Sequence, residues 1–151
     1  MIRQAEIKDA ARIKKIHTAS VRALCAPFYT PDQIKTWTAG TPDGMRRVIE
    51  QSPYFIVMET NKTITGFASL RPDFSIWHLY IDPACVQKGI GTALLKNMEE
   101  FLLKAGHKTI TLDSTLSAAE FYRRNGYEDI GKSHVHMADQ KIEVIKMKKM
   151  L

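Results

Sequence analysis

Between Asp9 and Leu24 the apolar residues Ala10, Ile13, Ile16, Ala19, Ala23 and Leu24 recur near helical spacing, with charged residues between them. Pro27 stops this helix. Pro31 is placed to open a second, with Ile34 and Trp37 on one side. Gly40, Pro42 and Gly44 punctuate the chain before a third helical stretch at about residues 45 to 51, and residues 2 to 5 read as a short opening strand. Beyond Ser52 the pattern changes. Tyr54 to Glu59 and Thr63 to Leu70 are rich in β-branched and aromatic residues and are joined by Asn61-Lys62, which predicts a hairpin. Pro72 and Asp73 turn the chain into a third strand, Ser75 to Asp82, which Pro83 ends. In the helix predicted over Gly89 to Lys104, Ile90, Ala93, Leu94, Met98, Phe101 and Leu102 form a buried stripe, and Gly106 stops it. A strand from Thr109 to Asp113 follows. Ser117-Ala-Ala-Glu120 has the pattern of a capping box, opening a short helix that Gly126 closes. Ile130 to Met137 and Lys141 to Met147 form a last hairpin around Ala138-Asp139-Gln140.

Hairpins mixed with a strand–helix–strand crossover imply one mixed sheet with helices packed on it. With no linker, repeat or low-complexity stretch, residues 1–151 read as a single domain. An apolar fraction of 44% with 25% charged residues is ordinary globular composition. No apolar run is long enough to span a bilayer, and the start MIRQAEIKDAARIKK has no signal-peptide core, so the expectation is a cytoplasmic protein without a membrane partner. Cys25 and Cys85 are far apart and read as free thiols. The net charge of +6 raises the question of nucleic acid. The basic residues are scattered, however, without a stripe interleaved with aromatics, and the reading is solvated surface charge that also attracts an anionic ligand.

The segment with chemical content runs from Trp77 to Thr92, where a strand passes through a loop into a helix whose first turn holds Gly89 and Gly91. Free N–H groups at such a helix start, with the helix dipole behind them, suit a phosphate or pyrophosphate. Glycine there removes side chains that would block close approach, and Lys88 adds a positive charge. The dinucleotide fingerprint is excluded, because Leu94 stands where its third glycine belongs. A Walker A loop is excluded because Lys88 precedes its glycine.

Val86-Gln87-Lys88-Gly89-Ile90-Gly91 resembles the pyrophosphate loop of the GNAT superfamily of acyl-CoA N-acyltransferases, and Leu79-Tyr80-Ile81-Asp82-Pro83 is similar to the strand end before it. A second motif, Thr115 to Tyr127 with Phe121-Tyr122 at its centre, lies where that family places it. The resemblance covers essentially the whole chain. It implies an α+β fold of GNAT type, with a mixed, largely antiparallel sheet and helices on both faces. It implies acetyl-CoA as co-substrate, bound between the Leu79 and Thr109 strands, no metal, and direct transfer to an amine. Residue by residue, it implies that the edge at Leu79, Tyr80 and Ile81 bonds the pantetheine arm, that the amides of Val86 to Thr92 hold the pyrophosphate, and that Tyr122 protonates the departing thiolate. Two positions depart from the family pattern: Val86 stands where Gln or Arg is usual, and Thr115 where Asn is frequent.

The base is not assigned by the sequence. Several family members carry a glutamate where this chain has Ser75. Strand alternation puts Ser75, Trp77, Leu79 and Ile81 on one face and Ile76, His78 and Tyr80 on the other. A histidine ordinarily titrates near neutrality, which makes His78 one candidate; a packing role for it, or a water relay to a backbone carbonyl, are the alternatives. Phe28, Tyr29 and Trp37 either line an acceptor pocket or cover the sheet, and His134 with His136 has no third metal ligand. The expected acceptor is a primary amine on a small molecule or peptide, and a homodimer is compatible with the resemblance. A non-catalytic CoA-binding regulatory module and a basic nucleic-acid binder are the competing functions.

Overall fold

A computed structural model describes all 151 residues. Its strands are β1 (Ile2–Gln4), β2 (Phe55–Thr60), β3 (Thr63–Leu70), β4 (Ile76–Ile81), β5 (Thr109–Thr115), β6 (Glu128–Met137) and β7 (Gln140–Met150). Its helices are α1 (Ala10–Ser20), α2 (Pro31–Trp37), α3 (Pro42–Gln51), α4 (Ile90–Lys104) and α5 (Ala119–Arg124). The strands form one open sheet in the order β1-β2-β3-β4-β5-β7-β6, antiparallel throughout except at β4–β5. Asn61 and Lys62 both have positive φ, the geometry of a tight hairpin turn whose twist matches its strands.

Helices cover both faces. The apolar stripe of α4, with Leu94, Leu95, Met98 and Leu102 fully buried, packs with Tyr122 and Tyr127 over Ile76, Ile110, Leu112 and Met147. On the other face Ala10, Ile13 and Ile16 of α1 and Met45 of α3 pack over Val57 and Phe67. A third cluster joins Val21, Cys25, Tyr29 and Trp37 to Ile142 and Val144 of β7.

Three local expectations are corrected. The first helix does not end as an α-helix: α1 passes at Ser20 into a π-helical turn, Val21–Cys25. The third helix begins at Pro42, because Thr41 caps it by accepting the Gly44 N–H at 3.1 Å. The capping box forms at a different helix from the one expected. Thr30 and Gln33 exchange bonds of 3.2 and 2.8 Å at the start of α2. Ser117 is instead bonded to Thr115 and Cys25, and α5 starts from Ala118 with no side-chain cap.

Alternation along β4 is also broken. The register with β3 pairs Ser69 with His78 but Leu70 with Ile76, so Trp77 is the extra residue of a bulge. Ile76 consequently packs in the same cluster as Leu79 and Ile81, while Trp77 stacks on His78 with ring centroids 5.2 Å apart.

A cleft between two splayed strands

The parallel joint between β4 and β5 is reduced to a single register pair, Ile76 with Leu112. Beyond it β4 follows β3 and β5 follows β7, and the two strands diverge. Asp82 N–H donates to the Thr65 carbonyl at 2.8 Å, directly across the pair. By alternation the peptide groups of Tyr80 also turn to β3, and those of Leu79 and Ile81 turn to the open side. The splay thus exposes strand backbone that a neighbouring strand would normally satisfy.

A cavity of about 540 Å³ fills the splay, within the usual range for a small-molecule site. Leu79, Tyr80 and Ile81 line it from β4, and Val86, Gln87, Gly89, Ile90, Gly91 and Thr92 line it from the loop and first turn of α4. Thr115 and Tyr122 close the opposite wall. Of the residues to which the resemblance gives a cofactor-binding or catalytic role, Lys88 alone does not line the cavity; it is exposed on the loop, and the cation at the wall is Arg124.

The loop is shaped for an anion. Its start is fixed by Asp82, whose carboxylate accepts the Ala84 N–H at 3.0 Å and the Arg12 guanidinium at 2.7 Å. These bonds, led by that from Ala84, hold the Asp82 carboxyl below the usual carboxylate range. Gly89 takes φ of +78° as the N-cap of α4, and a Cβ there would meet nothing within 4 Å. The first intrahelical bond runs from Ala93 N–H to the Gly89 carbonyl at 3.0 Å, so the amides of Ile90, Gly91 and Thr92 are free. Gly91 serves packing instead: a Cβ there would stand 3.3 Å from the Phe121 ring, so its bareness lets the loop dock against α5. These free amides and the open strand edge fit the diphosphate and the amide-bearing arm of coenzyme A.

Tyr122 is buried, set edge-to-face against Phe121 and Tyr127 at 5.2 and 5.5 Å. Burial raises its phenol above the ordinary value, and burial does the same to Tyr80. The Tyr122 hydroxyl bonds to no other residue, yet no buried side-chain oxygen is left without a partner; it therefore looks into the cavity. Thr115 stands nearby, its hydroxyl accepting the Ala118 N–H at 3.2 Å and bonded to Ser117 at 3.0 Å.

The remaining candidates lie elsewhere. His78 is outside the cavity wall, bonded through Nδ1 to Ser69 at 2.8 Å and packed among His17, Phe67 and Tyr80. Burial, helped by His17, Arg71 and Lys14, lowers its pKa to about 3, which makes it a weak base. Tyr29 and Trp37 pack edge-to-face in the core, while Phe28 is exposed. His134 and His136 are exposed on β6.

Sequence reasoning missed Asp113. It lines the cavity beside the β4–β5 joint and is the one carboxylate to do so, held by Lys146 at 3.4 Å and approached by Arg71 at 3.9 Å. Ser20, Leu24 and Cys25, on the π turn and the residue before it, complete the wall.

Known proteins share this fold. The acetyltransferase (GNAT) domain family matches residues 25–151. An uncharacterized N-acetyltransferase, YafP of Escherichia coli K12, is 25% identical over 134 residues, covering 89% of this chain and 85% of its own. The S-(2-succino)cysteine N-acetyltransferase of Bacillus subtilis 168 is 35% identical over 111 residues, 60% of this chain and 66% of its own. Among solved structures, the GCN5-related N-acetyltransferase of Rhodopseudomonas palustris superposes with a TM-score of 0.95 at 26% identity, over 100% of this chain and 95% of that one. The PaiA N-acetyltransferase of Thermoplasma acidophilum, in complex with coenzyme A, gives 0.83 at 21% identity, over 100% and 98%. The chain belongs to the GNAT superfamily of N-acetyltransferases, and with that to the acetyl-CoA-dependent acyltransferases.

Proposed function

We propose that this protein transfers the acetyl group of acetyl-CoA to the primary amine of a small molecule or peptide by direct attack. One observation carries the reading: the β4–β5 splay brings free helix-start amides, an open strand edge and a cavity-facing phenol into one cleft.

In this reading the amides of Val86 to Thr92 hold the diphosphate, with Arg124 rather than Lys88 as the nearby cation. Leu79 and Ile81 present their peptide groups to the pantetheine arm, and Thr115 borders it from β5. The acceptor enters past Ser20, Leu24 and Cys25, and Asp113 attracts its ammonium at the joint. The free amine then attacks the thioester carbonyl and the C–S bond breaks. Before the attack the ammonium gives up one proton to water; nitrogen then loses a second as sulfur gains one, so the transfer releases one proton overall. Tyr122 donates to the sulfur as charge develops there; its raised pKa keeps it protonated, and therefore a donor, throughout the neutral range. The amino-acid derivative in the Bacillus relative's name favours a small acceptor over a peptide.

The test is a thiol-release assay with acetyl-CoA over a panel of amines, beside calorimetric CoA binding. Tyr122→Phe is expected to lower kcat about 100-fold while CoA still binds, the usual size of a general-acid contribution. CoA binding without turnover on any amine would favour the regulatory module, and no CoA binding at all would overturn the reading.

A further inference from the structure

A second concavity, of about 590 Å³, lies on the other side of the π turn. Ser20, Leu24 and Cys25 face the acyl cleft, whereas Arg22 and Ala26, half a turn away, face this outer cavity. Tyr29, Pro31, Ile34, Lys35, Thr38 and Ala39 complete its wall. The charge here is one-sided. Arg22 and Lys35 take part in none of the molecule's ion pairs, and no carboxylate lines the cavity.

A third cation stands behind the wall. Lys14 is only 9% exposed, and its ammonium touches the Thr38 carbonyl at 3.3 Å and His17 Nδ1 at 3.4 Å, with no acid beside it. Burial and the Arg22 charge both lower the Lys14 pKa, a sign that positive charge accumulates here uncompensated. A concave site with several unneutralised cations concentrates anions. A guanidinium fork suits a carboxylate, and the flanking faces of Ala26, Tyr29 and Ile34 suit a hydrocarbon body.

We propose that this outer cavity is a second binding site, separate from the acyl cleft, for a small organic anion: a carboxylate carried on an apolar body. Its occupant touches two supports of the cleft. One is the π turn itself. The other is Tyr29, whose hydroxyl donates to the Glu143 carbonyl at 2.6 Å and accepts the Leu116 N–H at 3.0 Å, fixing the loop between Thr115 and Ser117.

The experiment titrates benzoate, and separately inorganic phosphate, into the ¹⁵N-labelled full chain in the presence of saturating CoA, which keeps either anion off the Val86–Thr92 loop. Benzoate is expected to give saturable amide shifts within residues 22–39. Arg22→Ala and Lys35→Ala, both on exposed side chains, are each expected to weaken it about tenfold, the loss of one charge-assisted bond. Phosphate binding as tightly as benzoate would overturn the ligand class. Absence of saturable shifts in residues 22–39, or affinity unchanged in both variants, would overturn the site. The readout does not depend on turnover, so failure of acetyl transfer leaves it intact.

Discussion

In the proposed reaction two side chains carry most of the chemistry, and they differ in how visible they are. Tyr122 sits inside a recognisable motif, so its place at the cleft follows from the string of residues around it. Asp113 does not. In Thr109-Ile-Thr-Leu-Asp113 it reads as one more polar residue on the outer face of a strand, and only the pairing of Ile76 with Leu112 reveals that it stands at the point of divergence. If Asp113 attracts the acceptor's ammonium, Asp113→Asn raises KM for the amine about tenfold or more, the size of a lost charge-assisted bond, and leaves the CoA dissociation constant unchanged. Steady-state kinetics beside calorimetry checks this; an unaltered KM would remove Asp113 from the site. His78 teaches the opposite lesson. Its residue type invited a catalytic role, but its surroundings are aromatic rings and a serine hydroxyl.

At the scale of elements, most of the architecture was legible because period and punctuation agreed: Pro31 opens α2, and an unbroken apolar stripe marks α4. What escaped was register. A bulge inserts Trp77 without altering the polarity pattern around it, and a π turn inserts a residue into a helix whose apolar spacing still looks helical. The docking of α4 on α5 is a contact between the two motifs that neither shows by itself. Gly91→Ala places a methyl group 3.3 Å from Phe121, tighter than ordinary packing. The expected cost is about 1 kcal/mol, with a weaker affinity for CoA as the loop shifts. Phe121→Leu in the same background is expected to recover part of the stability, and a double-mutant cycle by urea denaturation measures that coupling.

For the whole molecule, packing α1 onto one face of the sheet sets two neighbouring imidazoles, His17 and His78, where they cannot easily take up protons. Burial and the neighbouring Lys14 lower His17 to about 4, against an ordinary value of about 6.5. Because the folded value is the lower one, the unfolded chain binds more protons between the two. Stability is therefore fully present above pH 6.5 and is lost as the pH falls from there toward 4. His17 alone is expected to contribute about 2 kcal/mol of this loss between pH 7.5 and 4.5. Urea midpoints for the wild type and His17→Gln at the two pH values read it directly: the variant's acid-side decline is expected to be shallower by that amount. Parallel declines would mean that His17 titrates normally.

The turn at Val21–Cys25 holds one residue more than the α-helical turn it replaces. Deleting Ala23 would let the helix close into continuous α-geometry: the four steps then left between Ser20 and Cys25, at about 100° each, make slightly more than one turn, as the five wider-spaced steps do now. Ser20 and Cys25 would therefore stay on one wall, while the spacing of Arg22 and Leu24 between them would tighten. A one-residue deletion in the middle of a helix is normally a defect to be absorbed. Here it would leave the helix unbroken and both ends of the turn aimed much as they are.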